Sequence, residues 1–182
     1  MSSTRDRALA AAVHLVGSRG VRELTHVRVD AEAALPKGST SNYFRTRAAL
    51  VSGVIGWIAE QERADLAAAV RPSQSVDDVI DALCAVLDDL TGLHAERTRA
   101  RYALFFEMTS EPDVQAPLRA QRARFAEWIR ELLLGLGAPN PDAATRALLA
   151  FASGLIVHRL TVDPSLPLRP VVAVAVKGCL QA

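Results

Sequence analysis

Apolar residues recur three and four positions apart along most of the chain, which is the spacing of one face of an α-helix. The first such stretch covers residues 4–18, with Leu9, Val13 and Val16 on one face. Gly20 follows it, and glycine is a residue type that commonly ends helices. The pattern therefore predicts a first helix that closes just before Gly20.

Two short helices and one long helix are predicted next. Thr25 is a suitable N-cap for a short segment that closes before Pro36. A second short helix is expected to begin at or just after Pro36, since proline is tolerated in a first turn, and to end near Phe44. Thr46 can then cap a longer fourth helix that Pro72 terminates.

The middle of the chain predicts three more helices. Residues 75–78, Ser-Val-Asp-Asp, have the form of a capping box and open the fifth helix. A sixth helix is expected over residues 95–109, because residues 110–113 contain a proline break. Phe125–Leu136 then fits the template of an amphipathic helix most completely, and Asn140 can cap the helix that follows it.

Two segments near the C-terminus are strongly apolar. Residues 147–157 are apolar on nearly every face, which predicts a helix that is buried on both sides. Residues 171–180 are rich in valine and favour a strand as well as a helix. Because the chain offers no second strand to pair with them, we favour a helix, and the predicted fold class is all-α.

Composition narrows the class of protein. No apolar run approaches the length of about 20 residues that a membrane span needs, and the N-terminus lacks the apolar stretch of a signal peptide. We therefore expect a cytoplasmic protein without a membrane partner. The two cysteines, Cys84 and Cys179, lack metal-ligand spacing, and no glycine-rich phosphate loop is present. Neither a metal nor a cofactor is expected.

Charge is distributed unevenly. Residues 1–50 carry eight basic and four acidic side chains, a net charge of +4, whereas the rest of the chain carries −3. Within the basic part, residues 37–43 form a nearly uninterrupted polar run, with Lys37 at its start and Arg45 and Arg47 just beyond its end. Short hydroxyls and an amide flanked by basic residues can approach phosphate oxygens and base edges in a DNA groove.

The order and spacing of these residues resemble the tetracycline-repressor (TetR) family. The resemblance covers about 45 residues, and the matching positions are Gly20, Leu24-Thr25, residues 27–34, Leu35-Pro36, Gly38-Ser39, Tyr43-Phe44, Arg47 and Leu50. It implies a three-helix, helix-turn-helix DNA-binding domain over residues 1–46. A helical effector-binding and dimerisation domain over residues 47–182 is expected to follow. The implied function is that of a ligand-responsive regulator, most often a repressor, that binds a pseudo-palindromic operator.

The resemblance also implies roles for individual residues near the turn. Base-edge contacts are expected from Lys37, Thr40 and Asn42, and the amide of Asn42 suits a bidentate contact with adenine. Phosphate contacts are expected from Thr25, Ser39, Tyr43 and Arg47.

Three departures from the family pattern bear on this segment: Asp30 stands where alanine is usual, Ala34 where glycine is usual, and Ser41 where an aromatic residue is usual. Ala34 is expected to strain the turn, at a cost on the order of 1 kcal/mol, if the backbone there needs a positive φ.

A second copy of the chain and a small-molecule effector are the further partners that the family implies. Residues 142–182, which hold the two apolar segments, are expected to form a four-helix homodimer interface. The effector pocket is expected among aromatic side chains of the body, with a histidine as one polar anchor. Its candidate lining is Trp57, Tyr102, Phe105, Phe106, Met108, Phe125, Trp128, Phe151 and His158.

Two other classes of function compete with this interpretation. An α-helical enzyme is disfavoured because the four histidines are scattered, and local spacing assembles no catalytic arrangement from them. A helical adaptor that dimerises or binds protein without specific DNA binding stays open. Loss of DNA affinity with rising salt would separate a DNA-binding dimer from such an adaptor.

Overall fold

The computed structural model describes residues 3–69, 75–107 and 112–181. All regular structure in these ranges is helical, which confirms the predicted all-α class. The helices are α1 (Thr4–Arg19), α2 (His26–Glu32), α3 (Ser39–Tyr43), α4 (Arg47–Ala69), α5 (Val76–Thr91), α6 (Ala95–Glu107), α7 (Pro112–Gly135), α8 (Pro141–Thr161) and α9 (Leu168–Cys179), with a short 3-10 helix at Val21–Glu23.

Local capping signals predicted the starts of α2, α4, α5 and α8 correctly. The Thr25 and Thr46 hydroxyls accept hydrogen bonds from the backbone N–H groups of Arg28 and Ala49, at 3.4 and 3.0 Å. Ser75 forms the predicted capping box with Asp78, and the Asn140 side chain accepts from the N–H of Ala143 at 3.1 Å. Gly20 ends α1 with φ of 93°, a conformation that glycine adopts without strain.

The structure differs from the pattern in the bounds of two helices. The third helix begins at Ser39 rather than near Pro36, because Gly38 adopts a left-handed conformation and acts as its N-cap. The seventh helix begins at Pro112, well before the amphipathic stretch at Phe125. Pro72 and residues 108–111, including Met108, lie outside the described residues. The valine-rich C-terminal segment is helical, as predicted.

The helices group into two compact units. Unit 1 consists of residues 1–63 and 95–121, and unit 2 consists of residues 64–94 and 122–182. In unit 1, α1 is the central helix and packs against α2, α3 and α6. Its buried face, which includes Leu9 and Val16, joins one apolar cluster with residues of α4 such as Val54 and Ile58. The short helices α2 and α3 are therefore mounted on a continuous core.

Unit 2 is built around the packing of α5 against α8 and α9. The buried faces of α5 and α9 carry apolar residues three and four positions apart. Ion pairs at the edges join the same helices, since Arg169 of α9 contacts two aspartates of α5 and Arg159 of α8 lies 3.0 Å from Asp88.

Burial raises the pKa of the Cys84 thiol, with a further contribution from Asp88. Burial likewise raises the pKa of the Cys179 thiol.

Helix α8 is much less buried than its composition led us to expect. It is the one described helix that is long and apolar enough to cross a membrane, with a mean hydropathy of 1.2, yet only 33% of that stretch is buried within the chain. A core helix of a globular protein meets the same criterion. The burial on both sides that the sequence predicted is thus not supplied by this one chain.

The backbone at Ala34 is strained, as the missing glycine suggested. Ala34 lies between α2 and α3 with φ of 50°, a left-handed conformation that disfavours a Cβ atom. Arg7 of α1 stabilises this turn, because its guanidinium donates to the carbonyl oxygens of Ala33 and Ala34 at 2.8 and 3.3 Å.

Ala34→Gly is expected to raise the free energy of unfolding by about 1 kcal/mol, since glycine adopts this conformation without steric cost. Urea denaturation of the two proteins measures the difference. The neighbouring Ala33→Gly is the control, because Ala33 has φ of −79° and gains nothing from glycine. Equal destabilisation by both substitutions would show that the turn carries no such strain.

Candidate nucleic-acid interface

Helix α3 is short and mostly polar, so a few buried groups must hold it in place. Its sequence is Ser-Thr-Ser-Asn-Tyr, and only Thr40 among these five residues is buried. Phe44, directly after the helix, is also buried and belongs to the apolar cluster of unit 1. Lys37, Ser41, Asn42 and Tyr43 are exposed around these two anchors.

Asp30 of α2 is the main polar support of α3. Its side chain is 3% exposed, and it accepts three hydrogen bonds from the start of the helix. The N–H of Gly38 donates to Oδ2 at 2.7 Å, and the N–H and hydroxyl of Thr40 donate to Oδ1 at 2.8 and 2.5 Å. The carboxylate thus satisfies backbone donors that a helix start leaves without intrahelical partners.

The ionised form of Asp30 is favoured despite burial. Desolvation raises the pKa of Asp30, but the hydrogen bonds from Thr40 and Gly38 and the nearby His26 outweigh it and leave the pKa below its ordinary value. A buried carboxylate that accepts several hydrogen bonds behaves in this way because its charged form is the better acceptor. Asp30 is therefore a fixed negative charge at the start of α3.

The position of Thr40 corrects one prediction. The sequence suggested Thr40 as a base-edge contact, but its side chain is 0% exposed and its hydroxyl donates to Asp30. A hydroxyl that is enclosed in this way cannot reach a base edge. Thr40 instead positions the start of the helix through its two hydrogen bonds to Asp30.

Phe44 fixes the other end of α3. Its ring lies so close to Gly53 of α4 that a Cβ atom at Gly53 would come within 2.4 Å of ring atom Cε1. The guanidinium of Arg5 lies 5.6 Å from the ring centroid, and His26 Nε2 forms a 2.6 Å hydrogen bond with the Phe44 carbonyl oxygen. Residues from α1, α2 and α4 therefore meet at the end of α3.

Gly53→Ala is expected to destabilise the protein by about 1–3 kcal/mol, because the new methyl must displace a buried aromatic ring. Thermal denaturation measures the difference from wild type. Gly56→Ala, one turn along the same helix, is the control because a Cβ there meets nothing within 4 Å. If Gly53→Ala were as stable as Gly56→Ala, the ring would not be held as described.

Comparison with protein families identifies the family of the chain. The family model "Tetracyclin repressor-like, C-terminal domain" matches residues 74–182, which is more than half of the chain. The chain belongs to the TetR family. Its fold is accordingly an N-terminal helix-turn-helix domain joined to a helical C-terminal domain, as predicted. A search of curated proteins gave no match to the sequence.

Solved structures share the fold of this TetR-family chain. A transcriptional regulator from Rhodococcus sp. Rha1 is 19% identical, with 98% of this chain and 97% of that chain covered and a TM-score of 0.81. A TetR-family regulator from Streptomyces coelicolor is 24% identical, with 97% and 94% covered and a TM-score of 0.79. The multidrug binding protein EbrR complexed with ethidium is 26% identical, with 98% and 99% covered and a TM-score of 0.67.

The other predicted DNA contacts of this TetR-family protein lie around α3. Thr25 is exposed, although its hydroxyl caps α2, and the Ser39 hydroxyl donates to the Pro36 carbonyl oxygen at 2.6 Å. Arg47 is exposed at the start of α4, where one guanidinium nitrogen lies 3.4 Å from the Val21 carbonyl oxygen. Their phosphate-contact roles remain predictions.

Sequence reasoning noted Asp30 as a departure from the family but assigned it no role. The available signal was the spacing of Asp30, which lies eight residues before Gly38 and ten before Thr40. Those two residues begin α3, which has no acidic residue in its own first turn. It also missed Arg5, which reaches Phe44 across a separation of 39 residues along the chain. Such a long-range contact has no local signature.

The predicted effector residues fall into both units. In unit 1, the Tyr102 and Phe105 rings of α6 lie 6.4 and 6.3 Å from the ring of Phe106, which is 67% exposed, and Trp57 lies on α4. In unit 2, the Phe125 and Trp128 rings of α7 are 5.3 Å apart. Phe151 is half-buried on α8, and His158 is exposed in its last turn. Their assignment to an effector pocket remains a prediction.

Proposed function

We propose that this TetR-family protein is a ligand-responsive transcriptional regulator that binds operator DNA as a homodimer. The observation that carries the proposal is the mounting of α3, whose buried side is held by Asp30 and Phe44 while Lys37, Ser41 and Asn42 are exposed. A five-residue polar helix held this firmly has little use as core packing. It suits a surface that enters the major groove.

The exposed groups supply both kinds of DNA contact. Asn42 offers an amide for bidentate contact with adenine, and Lys37 and Ser41 can approach neighbouring base edges. Thr25, Ser39, Tyr43 and Arg47 are assigned to the phosphates, which position the protein without reading sequence. The net charge of +4 over residues 1–50 supports the assignment of this part of the chain to DNA binding.

A homodimer through residues 142–182 would cover the apolar surface of unit 2. Val157 of α8, Val162 just after it and Val174 of α9 are 43, 68 and 74% exposed. A two-fold dimer covers such a surface with an identical one and presents two copies of α3. The operator is then a pseudo-palindrome with half-sites roughly 34–36 Å apart or somewhat more.

Buried polar groups in unit 2 support a small-molecule effector. Trp128 is 7% exposed, and its indole N–H has no hydrogen-bond partner in the described part of the chain; the same is true of the buried Thr145 hydroxyl. Buried donors without partners are uncommon, and a bound ligand can satisfy them. EbrR, which shares the fold, was solved with ethidium bound.

Effector binding is proposed to release a repressor from DNA in the cytoplasm. The dimer is taken to have a DNA-binding arrangement and a released arrangement. The ligand shifts the equilibrium between them only by the difference in its affinity for the two. No enzymatic activity is proposed. Among the described residues, no group of three or more histidine, cysteine or acidic side chains is placed to hold a metal.

Selection of DNA fragments by the purified protein, followed by titration of the selected DNA at several salt concentrations, tests the proposed function. We expect one enriched pseudo-palindrome and a logarithm of the affinity that falls steeply and linearly with the logarithm of salt concentration. A helical adaptor would enrich no sequence and show no salt-dependent binding, so that result would favour the alternative function.

Two substitutions distinguish base contacts from phosphate contacts. Asn42→Ala is expected to weaken operator binding by about 1–3 kcal/mol while leaving binding to scrambled DNA unchanged. Arg47→Ala should weaken binding to both DNAs by a similar factor, because phosphates carry no sequence information. Fluorescence anisotropy with labelled duplexes measures all four affinities. The opposite pattern would overturn these assignments.

A further inference from the structure

Val27 is an exposed apolar side chain in a mostly polar part of the surface. It lies in the first turn of α2 and is 63% exposed. Among the described residues 3–63, the large hydrophobic side chains that are exposed are those of Val27 and Tyr43, and both belong to the α2–α3 pair. Single exposed apolar residues are common on protein surfaces, so the position of Val27 decides what it can do.

Two other faces of α2 are occupied by neighbouring helices. Towards α3, Asp30 accepts the hydrogen bonds described above, and His26 bonds the carbonyl oxygen just after that helix. Towards α1, the Glu32 carboxylate lies 3.5 Å from Nε2 of His14. Successive residues of an α-helix are rotated by about 100° around its axis. Val27 follows His26 and therefore points past α3, on the side of α2 away from α1.

The exposed side of α3 continues the surface on which Val27 lies. Helix α3 packs on α1 as well as on α2, with Thr40 buried, so its exposed residues Ser41 and Asn42 face away from both helices. Thr25, a proposed phosphate contact, is exposed two residues before Val27. The isopropyl group of Val27 thus lies on the surface of the α2–α3 pair opposite α1, among the proposed DNA contacts.

Thymine is the base that offers a partner to such a group. The valine side chain has no hydrogen-bond donor or acceptor, so it gains nothing from a phosphate or from the polar edge of a base. In the major groove, the 5-methyl group of thymine is the apolar group that base pairs display, and it is read by apolar contact. A valine in a helix strongly prefers one side-chain rotamer, so the contact costs little conformational entropy.

We propose that Val27 is a specificity-determining residue that reads a thymine through apolar contact with its 5-methyl group. The thymine belongs to a base pair beside those that α3 contacts. This inference rests on the proposed operator binding, and it adds an apolar contact from α2 to the polar contacts assigned to α3. One such contact in each half-site is expected from a two-fold dimer.

Replacement of thymine by deoxyuridine tests the contact, because it removes the methyl group and keeps every hydrogen-bonding group of the base. Each thymine of the selected operator is replaced in turn, together with its symmetric counterpart, and the affinity of the full chain is measured by fluorescence anisotropy. Burial of one methyl group is worth about 0.8 kcal/mol, a factor of about four. One symmetric pair of replacements should therefore weaken wild-type binding about fifteen-fold.

The same scan with Val27→Ala assigns the methyl contact to this residue. The variant truncates an exposed side chain, so folding should be unaffected, and its sensitivity to deoxyuridine at that pair should fall below about three-fold. Leu93→Ala is the control, because it also truncates an exposed apolar side chain but lies in unit 2, and it should keep the wild-type profile.

The outcomes separate this inference from the proposed function. An operator that binds with the expected salt dependence but shows no thymine position with a methyl effect would overturn the role of Val27 and leave operator binding intact. The same holds if wild type and Val27→Ala give identical profiles, or if the operator half-sites contain no thymine. If selection enriches no DNA sequence, both the role of Val27 and the proposed function are wrong.

Discussion

Asp30→Ala is expected to lower the free energy of unfolding by about 2–4 kcal/mol and to reduce operator affinity more than any change on the surface of α3. The substitution removes the acceptor of three hydrogen bonds and leaves the donors of Gly38 and Thr40 without it. Unpaired buried donors carry a full desolvation cost. Urea denaturation measures the loss of stability. A DNA titration in buffer without urea, where the variant is still folded, measures the loss of affinity separately.

A second capping carboxylate provides the control. Asp78 closes the capping box of α5 but is exposed and lies in unit 2, so Asp78→Ala should cost about 1 kcal/mol and leave DNA binding unchanged. Asp30→Asn keeps one oxygen acceptor and should fall between alanine and wild type. If Asp30→Ala behaved like Asp78→Ala in both measurements, Asp30 would not support the recognition helix.

The same carboxylate predicts a pH dependence of stability. The folded protein holds the pKa of Asp30 below its ordinary value, so the stabilisation is fully present above the unfolded value of about 3.9. It is lost as the pH falls through the lower, folded value. The difference in unfolding free energy between wild type and Asp30→Asn should therefore be constant near neutral pH and shrink below about pH 4. A difference that grew on acidification would have the wrong sign.

Gly17→Ala is expected to destabilise unit 1 by about 3 kcal/mol. A Cβ atom at Gly17 of α1 would lie 2.2 Å from the carbonyl oxygen of Glu96 and 2.8 Å from its carbonyl carbon, both in the first turn of α6. These are backbone atoms and cannot rotate away, so the two helices must separate. The strain exceeds the gain of about 1 kcal/mol that alanine ordinarily brings to a helix.

Gly56→Ala again serves as the control for this prediction, because it is the same substitution in a helix with open space around the new methyl. It should stabilise the protein by up to about 1 kcal/mol. Opposite signs for the two variants in thermal denaturation would support the close approach of α1 and α6. Equal stabilisation by both would mean that the helices are farther apart than described.

Features set by neighbouring residues were predictable from the sequence. The caps at Thr25, Thr46, Ser75 and Asn140 are local, since each side chain bonds a backbone group three residues away. The strain at Ala34 was predictable for the same reason, because the conformation of a turn depends on the residue at that position.

Features that depend on packing between distant segments were not predictable from the sequence. From the sequence, the Thr40 hydroxyl is as suitable for a DNA contact as its neighbours. Only the fold shows that this hydroxyl donates to Asp30. Trp57 was grouped with other aromatic residues by type, whereas its surroundings are set by the packing of α4 on α1. Gly17 gave no signal at all, because the approach of α6 occurs some 80 residues further along the chain.

Protection of an introduced thiol on α3 by DNA tests the central claim most directly. Ser41→Cys places a thiol on the exposed face of the recognition helix, and Glu131→Cys places one on an exposed part of α7 as the control. The native cysteines should react slowly, because burial raises the pKa of both Cys84 and Cys179. The rate of maleimide modification at each site is followed by mass spectrometry. We predict that saturating selected DNA slows modification of Ser41→Cys at least ten-fold and leaves Glu131→Cys unchanged; equal rates at Ser41→Cys with and without DNA would contradict the account.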